Sequence, residues 1–165
     1  MENIGRVLHS LEPVYHFNSR ILILGTMPSV KSRETQFYYG NPRNRFWSVL
    51  SSVLQCTEPQ NIRQKKEMLL RERIALYDVL AACDIHGSAD ASIRNAVPND
   101  FSDILQTADI KMVYANGKTA FRLYQKLCFS ATGRECICLK STSPANASAD
   151  FESLVRDWKQ ILVYL

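Results

Sequence analysis

"RILILGTM" (residues 20–27) is the stretch whose reading decides the fold. A near-continuous apolar run ended by Gly25 is expected of a strand covered on both faces. Three further segments share that character: "RIALYDVL" (73–80), "IKMVYANG" (110–117) and "RECICLKS" (134–141). Helical patterns lie between them. Phe46, Val49, Leu50 and Val53 recur at helical spacing, with Asn41 and Pro42 placed as N-cap and first helical residue. "NIRQKKEMLLRER" (61–73) reads as a polar-faced helix, and "NDFSDILQTA" (99–108) begins on a capping signal at Asn99 or Asp100. "GKTAFRLYQKLCF" (117–129) and "SADFESLVRDWKQILVYL" (148–165) complete the set. Strands alternating with helices predict an α/β fold. The expected form is a three-layer α/β/α sandwich around a central, mainly parallel four-stranded sheet, as one domain over residues 1–165.

Composition agrees with one soluble domain: 165 residues, 46% hydrophobic and 22% charged, enough to bury a core without disulfides or metals. The net charge of +4 permits a polyanionic partner without demanding one. The cysteines (Cys56, Cys83, Cys128, Cys136, Cys138) are odd in number and form no CxxC pair, which points to a reducing compartment. His9, His16 and His86 are scattered and no metal-ligand spacing occurs, so no metal or other cofactor is expected. No leader-like N-terminus and no apolar run near the ~20 residues of a membrane span is present. The expectation is a cytosolic, cytoplasmic monomer with no membrane partner.

Parallel sheets bind ligands outside the carboxyl ends of their strands. That rule sets "GTMPSV" and its continuation to "NPRN", "DVLAACDIHGSADASI", "NGKTA" and "STSPANA" side by side. In the first loop, peptide groups of Gly25, Thr26 and Met27 could meet a ligand edge, although a plain strand-exit turn accounts for them equally well. Tyr38 and Tyr39 point in alternate directions, so one can pack inward while the other offers a stacking platform to a planar base. Asn44 could orient a water through its amide without acting as a base; a capping role is the alternative. Arg43 and Arg45 could reach phosphate or simply face solvent. Asp78, at a strand end, could hydrogen-bond a base edge or cap a turn. Asn116, Gly117 and Lys118 open a helix, where free N–H groups favour phosphate. Ser141, Thr142 and Ser143 before Pro144 and Asn146 supply small donors for the same purpose. No Ser-His-Asp or Cys-His set and no glycosidase-like acidic pair accompanies them.

Together these blocks resemble the uracil-DNA glycosylase superfamily, and within it the hypoxanthine-DNA (deoxyinosine) glycosylase branch. The resemblance rests on Gly25, Met27 and Pro28, then Tyr38, Tyr39, Pro42, Arg43, Asn44, Phe46 and Trp47, then "IALYDVLAACDIHGSADASI", "VPNDF", "NG" and "STSPANA", spanning about residues 20–150. It implies hydrolysis of an N-glycosidic bond in DNA, with the deaminated base flipped into the cleft and an abasic site as product. Hypoxanthine is the first-choice base and uracil the second. Mismatch-specific relatives hold water with an asparagine at the place of Met27, so the resemblance passes that task to Asn44. It puts Tyr39 against the base, Gly25, Thr26, Met27 and Asp78 along its edge, and Arg43, Asn116, Gly117, Lys118, Ser141, Ser143, Pro144 and Asn146 toward DNA. Ser141 stands where many relatives carry histidine, and no cysteine precedes the first corner to bind an iron–sulfur cluster. No Schiff-base lysine is marked, which implies no strand nicking. Two other readings stay open: a nucleic-acid-binding module that kept the cleft and lost catalysis, and a small-molecule nucleotide binder.

Overall fold

Every residue of the strand Ile21–Gly25 is buried, as its unbroken apolar run requires. The computed structural model describes residues 4–165. In chain order its elements are β1 (Gly5–Leu8), β2 (Ile21–Gly25), α1 (Val30–Thr35), α2 (Phe46–Leu54), α3 (Ile62–Arg71), β3 (Ile74–Asp78), β4 (Leu80–His86) and β5 (Ala89–Pro98). There follow α4 (Ser102–Thr107), β6 (Met112–Asn116), α5 (Lys118–Leu127), α6 (Phe129–Thr132), β7 (Cys136–Leu139) and α7 (Phe151–Trp158), which runs into a 3-10 turn at Lys159–Tyr164.

The four strands expected from sequence form one sheet in the order β3-β2-β6-β7, with every pairing parallel. Side chains alternate across β2, so its two faces feed two cores. Ile21 and Ile23 join Phe46, Leu50, Leu69, Leu154 and Trp158 on one side. Leu22 and Leu24 join Ile104, Ala120 and Tyr124 on the other. The expected α/β/α sandwich is therefore present.

A second sheet was not foreseen. β1, β4 and β5 pair antiparallel in the order β1-β4-β5, and Cys83 and Ile85 of β4 add to the second core. The segment read as one long strand-exit loop is thus a hairpin, turning at Gly87 with φ +57. Its sequence hides it: β5 ("ADASIRNAVP") is mostly exposed and polar, and β4 carries Asp84 and His86 among its apolar residues. α1, capped by the Ser29 side chain accepting from Ser32 N–H, was also missed. The remaining correction concerns α2. It starts at Phe46 and not at Pro42, because Asn41 closes a local turn instead, its Oδ1 accepting from Arg43 N–H at 3.0 Å.

Candidate active site

Strand register sets the floor of the site. Gly25 lies directly opposite Asp78, and Asn116 is one step beyond the Leu24–Ala115 pair, so three of the anticipated residues share one sheet edge. Above that edge is a cavity of ≈ 260 Å³, lined by Gly25, Thr26, Met27, Tyr39, Asn44, Asp78, Asp90, Asn116, Ser141, Ser143 and Pro144 among others. Such a volume suits a small planar molecule and not an extended cofactor. Gly25 is sterically required there. A Cβ at this position would sit 2.5 Å from Asp78 Oδ1 and 2.8 Å from the Tyr39 hydroxyl.

One wall is a directed chain of neutral groups. Asn116 Nδ2 donates to the Tyr39 hydroxyl at 3.2 Å and to Thr142 Oγ1 at 2.9 Å, while its Oδ1 accepts from Thr142 N–H at 3.0 Å. Thr142 Oγ1 then donates to Asn44 Oδ1 at 2.8 Å. That oxygen also accepts from Phe46 N–H at 2.9 Å, which fixes the amide's orientation because only an oxygen can meet a backbone donor. Asn44 Nδ2 has no protein partner among the described residues, so the amide meets the cavity as a donor. Tyr39 has the left-handed φ of 52°, rare for an aromatic residue, and one ring face lies on Phe46 at 3.9 Å with 13° between the planes. Burial, then the Asp78 carboxylate, push its hydroxyl well above the ordinary phenol range, so it stays a protonated donor. Tyr38 is the inward member of the pair: it is buried, and its hydroxyl donates to Glu12 O at 2.8 Å.

The opposite wall is acidic. Asp78 is 4% exposed, and its Oδ2 lies 2.8 Å from His9 Nε2. Asp90 hangs from the β4–β5 hairpin. Its residue is exposed at the tip, yet its carboxyl turns inward, with Thr26 Oγ1 at 3.5 Å from Oδ2. Burial of the carboxyl raises its pKa above the usual carboxylate range, against the Thr26 hydrogen bond and with help from the Asp78 charge.

The residues anticipated at phosphate divide. Arg43 is exposed, and among the described residues its guanidinium has no partner. Lys118 is exposed at the start of α5, whose N-cap Gly117 has φ 96 and supplies no side-chain cap, leaving that turn's N–H groups open. Asn116, by contrast, has both amide hydrogens and its oxygen engaged inside the wall. Arg45 also points inward, donating to the carbonyls of Ala149, Ser143 and Asn146 and so holding the 143–149 loop in place. Ser141 Oγ accepts from Ser143 N–H, Ser143 Oγ accepts from Ala145 N–H, and Asn146 Nδ2 donates to Ser141 O; the loop is built on its own bonds. With Gly117, Lys118 and Lys140 it lines a wider trough of ≈ 930 Å³ that adjoins the cavity. Among the described residues no cluster of metal-ligating side chains occurs.

Sequence reasoning passed over His9 and Asp90 as site residues, and it read Thr142 as a phosphate donor where the structure buries it in the neutral wall. Thr142 carried a signal, since the middle residue of a Ser-Thr-Ser run points opposite to its neighbours. His9 and Asp90 carried none, because both reach the site through the unforeseen antiparallel sheet.

A parallel-sheet domain whose carboxyl edge holds a ring, oriented amides and carboxylates around a small cavity has the ligand-site layout of the open α/β folds. Its family follows from comparison with known proteins. Residues 12–162 match the model of the uracil DNA glycosylase superfamily, and the chain belongs to that superfamily. It is 36% identical over 136 residues to a hypoxanthine DNA glycosylase of Methanosarcina barkeri, covering 81% of this chain and 85% of that one. A hypoxanthine DNA glycosylase of Methanosarcina acetivorans is 35% identical over 131 residues, covering 78% and 82%. A Methanosarcina acetivorans protein solved by solution NMR as a candidate uracil DNA glycosylase superposes with a TM-score of 0.77 at 29% identity, covering 93% of this chain and 98% of that one.

Proposed function

We propose that this chain is a monofunctional DNA glycosylase that hydrolyses the N-glycosidic bond of a flipped, deaminated base and leaves an abasic site. Hypoxanthine is the preferred base and uracil the second. The observation that carries the proposal is the joining of Tyr39 and Asn44 across one base-sized cavity through Asn116 and Thr142. Support for hypoxanthine comes from the two relatives of that name.

The base enters from DNA, flipping at a cost of a few kcal/mol that is least at a mispaired or damaged site. Contacts from Arg43, Lys118 and the open N–H groups of α5 to phosphate offset that cost and make binding salt-sensitive. The base stacks on the Tyr39 face that Phe46 leaves free, with its edge on Asp78 and the peptide groups of Gly25 to Met27. As the bond to C1′ lengthens, the sugar takes on oxocarbenium character and the base gathers negative charge. Donors fixed along the base edge, the peptide N–H groups of the Gly25–Met27 corner, stabilise that charge. The attacking water lies against Asn44 Nδ2. Because Asn44 Oδ1 already has two donors, the amide orients water by donating to it and contributes positioning. The proton the water loses on bonding to C1′ goes to the departing base anion, directly or through solvent. The enzyme acts as a cytosolic monomer without a cofactor.

Incubation with duplexes carrying one inosine or one uracil, followed by alkali, tests the reading. Alkali-labile sites at inosine, fewer at uracil and none at unmodified bases are the expected result. Tight binding without base release would favour the silent nucleic-acid module, a reading motivated by Met27 and Ser141 at positions where relatives carry catalytic side chains.

A further inference from the structure

The proposed chemistry leaves His9 without a task. Its backbone N–H donates to Ala81 O at 2.8 Å, which fixes it beside β4, and its ring meets Tyr77 edge-on at 5.1 Å. The ring reaches beneath the cavity to Asp78 Oδ2 at 2.8 Å, with side chains only 2% and 5% exposed. A buried polar pair of this kind returns little stability over apolar packing of the same volume, so stability alone is a weak reason for its presence. Its geometric effect is definite. A carboxylate turns easily about its terminal torsion, and a partner on Oδ2 removes that freedom. The other oxygen, Oδ1, is then held against Gly25 on the cavity side.

We propose that His9 is the positioning residue that fixes Asp78 Oδ1 as a hydrogen-bond acceptor in the cavity, and that this acceptor selects deaminated bases over their parents. The inference rests on the reading that a base enters this cavity. Deamination changes two neighbouring edge positions in the same way in both cases: the amino group becomes a carbonyl, and the ring nitrogen beside it gains a hydrogen. Hypoxanthine carries N1–H and uracil N3–H where adenine and cytosine carry a lone pair. A fixed acceptor pairs with the N–H and faces the lone pair with nothing to share, leaving two buried acceptors opposed. Sites built around such a bond reject analogues lacking it by factors up to about 10⁴. An Asp78 free to rotate would discriminate less, because it could turn away from the wrong base.

The test measures hypoxanthine release in single turnover, together with binding of duplexes that carry non-hydrolysable 2′-fluoro analogues of deoxyinosine or deoxyadenosine. Wild type should release hypoxanthine and prefer the inosine analogue. His9→Phe, which keeps a ring against Tyr77, should lower that preference by about tenfold or more. His9→Gln, which can still donate to Asp78, should recover most of it. Asp78→Asn should lose the preference, and adding His9→Phe to it should lower it no further, since residues acting as one unit are non-additive. Full preference in His9→Phe, or additive losses in the double variant, overturns the role of His9 while leaving base release intact. A wild type that neither releases nor prefers inosine overturns this inference and the reading beneath it together. Should His9→Phe fail to fold by circular dichroism, His9→Gln decides: a loss as complete as in Asp78→Asn overturns the proposal.

Discussion

The two walls of the cavity are built to different plans. On one, Tyr39, Asn116, Thr142 and Asn44 form a chain of neutral groups in which each hydrogen bond sets the direction of the next. On the other, Asp78 and Asp90 bring carboxylates to the same space, one held from behind by His9 and the other hanging from a hairpin tip. The neutral wall can hold an uncharged water in one orientation and is indifferent to pH. The acidic wall favours ligand edges that donate; under the proposed function it also opposes the negative charge of DNA, which the exposed Arg43 and Lys118 would offset. Under the proposed function the difference is a division of labour, one wall positioning water and the other selecting the base.

That contrast breaks most visibly at Asn44. Asn44→Ala should slow single-turnover base release by about 10³-fold while DNA affinity changes by less than about threefold, because the side chain positions water and contacts no phosphate. The same change removes the acceptor for Phe46 N–H, so a loss of about 1 kcal/mol in thermal stability should accompany it. Gly25→Ala should come next. Its Cβ would meet Asp78 Oδ1 at 2.5 Å and the Tyr39 hydroxyl at 2.8 Å, forcing both walls apart. A loss of about 10²-fold in kcat/KM is expected, read against an intact circular dichroism spectrum. Thr142→Val cuts the neutral chain at its centre. It should cost about tenfold in release rate and about 1–3 kcal/mol in stability, because Thr142 is fully buried and leaves Asn116 Nδ2 and Asn44 Oδ1 each short of a partner.

The smallest effect belongs to Asp90. Its carboxyl pKa is raised, so the group is neutral at acid pH and gains charge as the pH climbs through its shifted pKa. Asp90→Asn removes that charge. It should tighten DNA binding by about threefold on the alkaline side of the shifted pKa and leave binding unchanged on the acid side. Fluorescence anisotropy across pH checks this. An equal gain at every pH would mean that the group does not titrate over the cleft.

The sheet beneath the site was legible in the sequence and each wall only half so: Tyr39 and Asn44 on the neutral one, Asp78 on the acidic one. β2, β3 and β6 declared themselves because strands buried on both faces are written as apolar runs, and β7, half-buried at the sheet edge, as a shorter one. Parallel topology then placed Gly25, Asp78 and Asn116 at one edge. The aromatic-rich stretch from Gln36 to Trp47 divided as alternation suggested, Tyr38 inward and Tyr39 toward the cavity. Long-range side-chain bonds were not legible. Asn116 and Arg45 look like phosphate ligands until the structure shows Thr142, Ser143, Asn146 and Ala149 taking up their hydrogens. β1 and β5 are short or polar and form strands only because β4 lies between them, so no local pattern announces that His9 and Asp90 come to the site.

A crystal structure of the Asn44→Ala variant bound to a duplex containing inosine tests the central claim most directly. The account predicts the hypoxanthine ring outside the helix and stacked on Tyr39, its N1–H on Asp78 Oδ1, and an intact glycosidic bond whose C1′ faces the space left by the missing amide. Inosine still paired within the duplex, or a flipped base bound away from Tyr39 and Asp78, would contradict it.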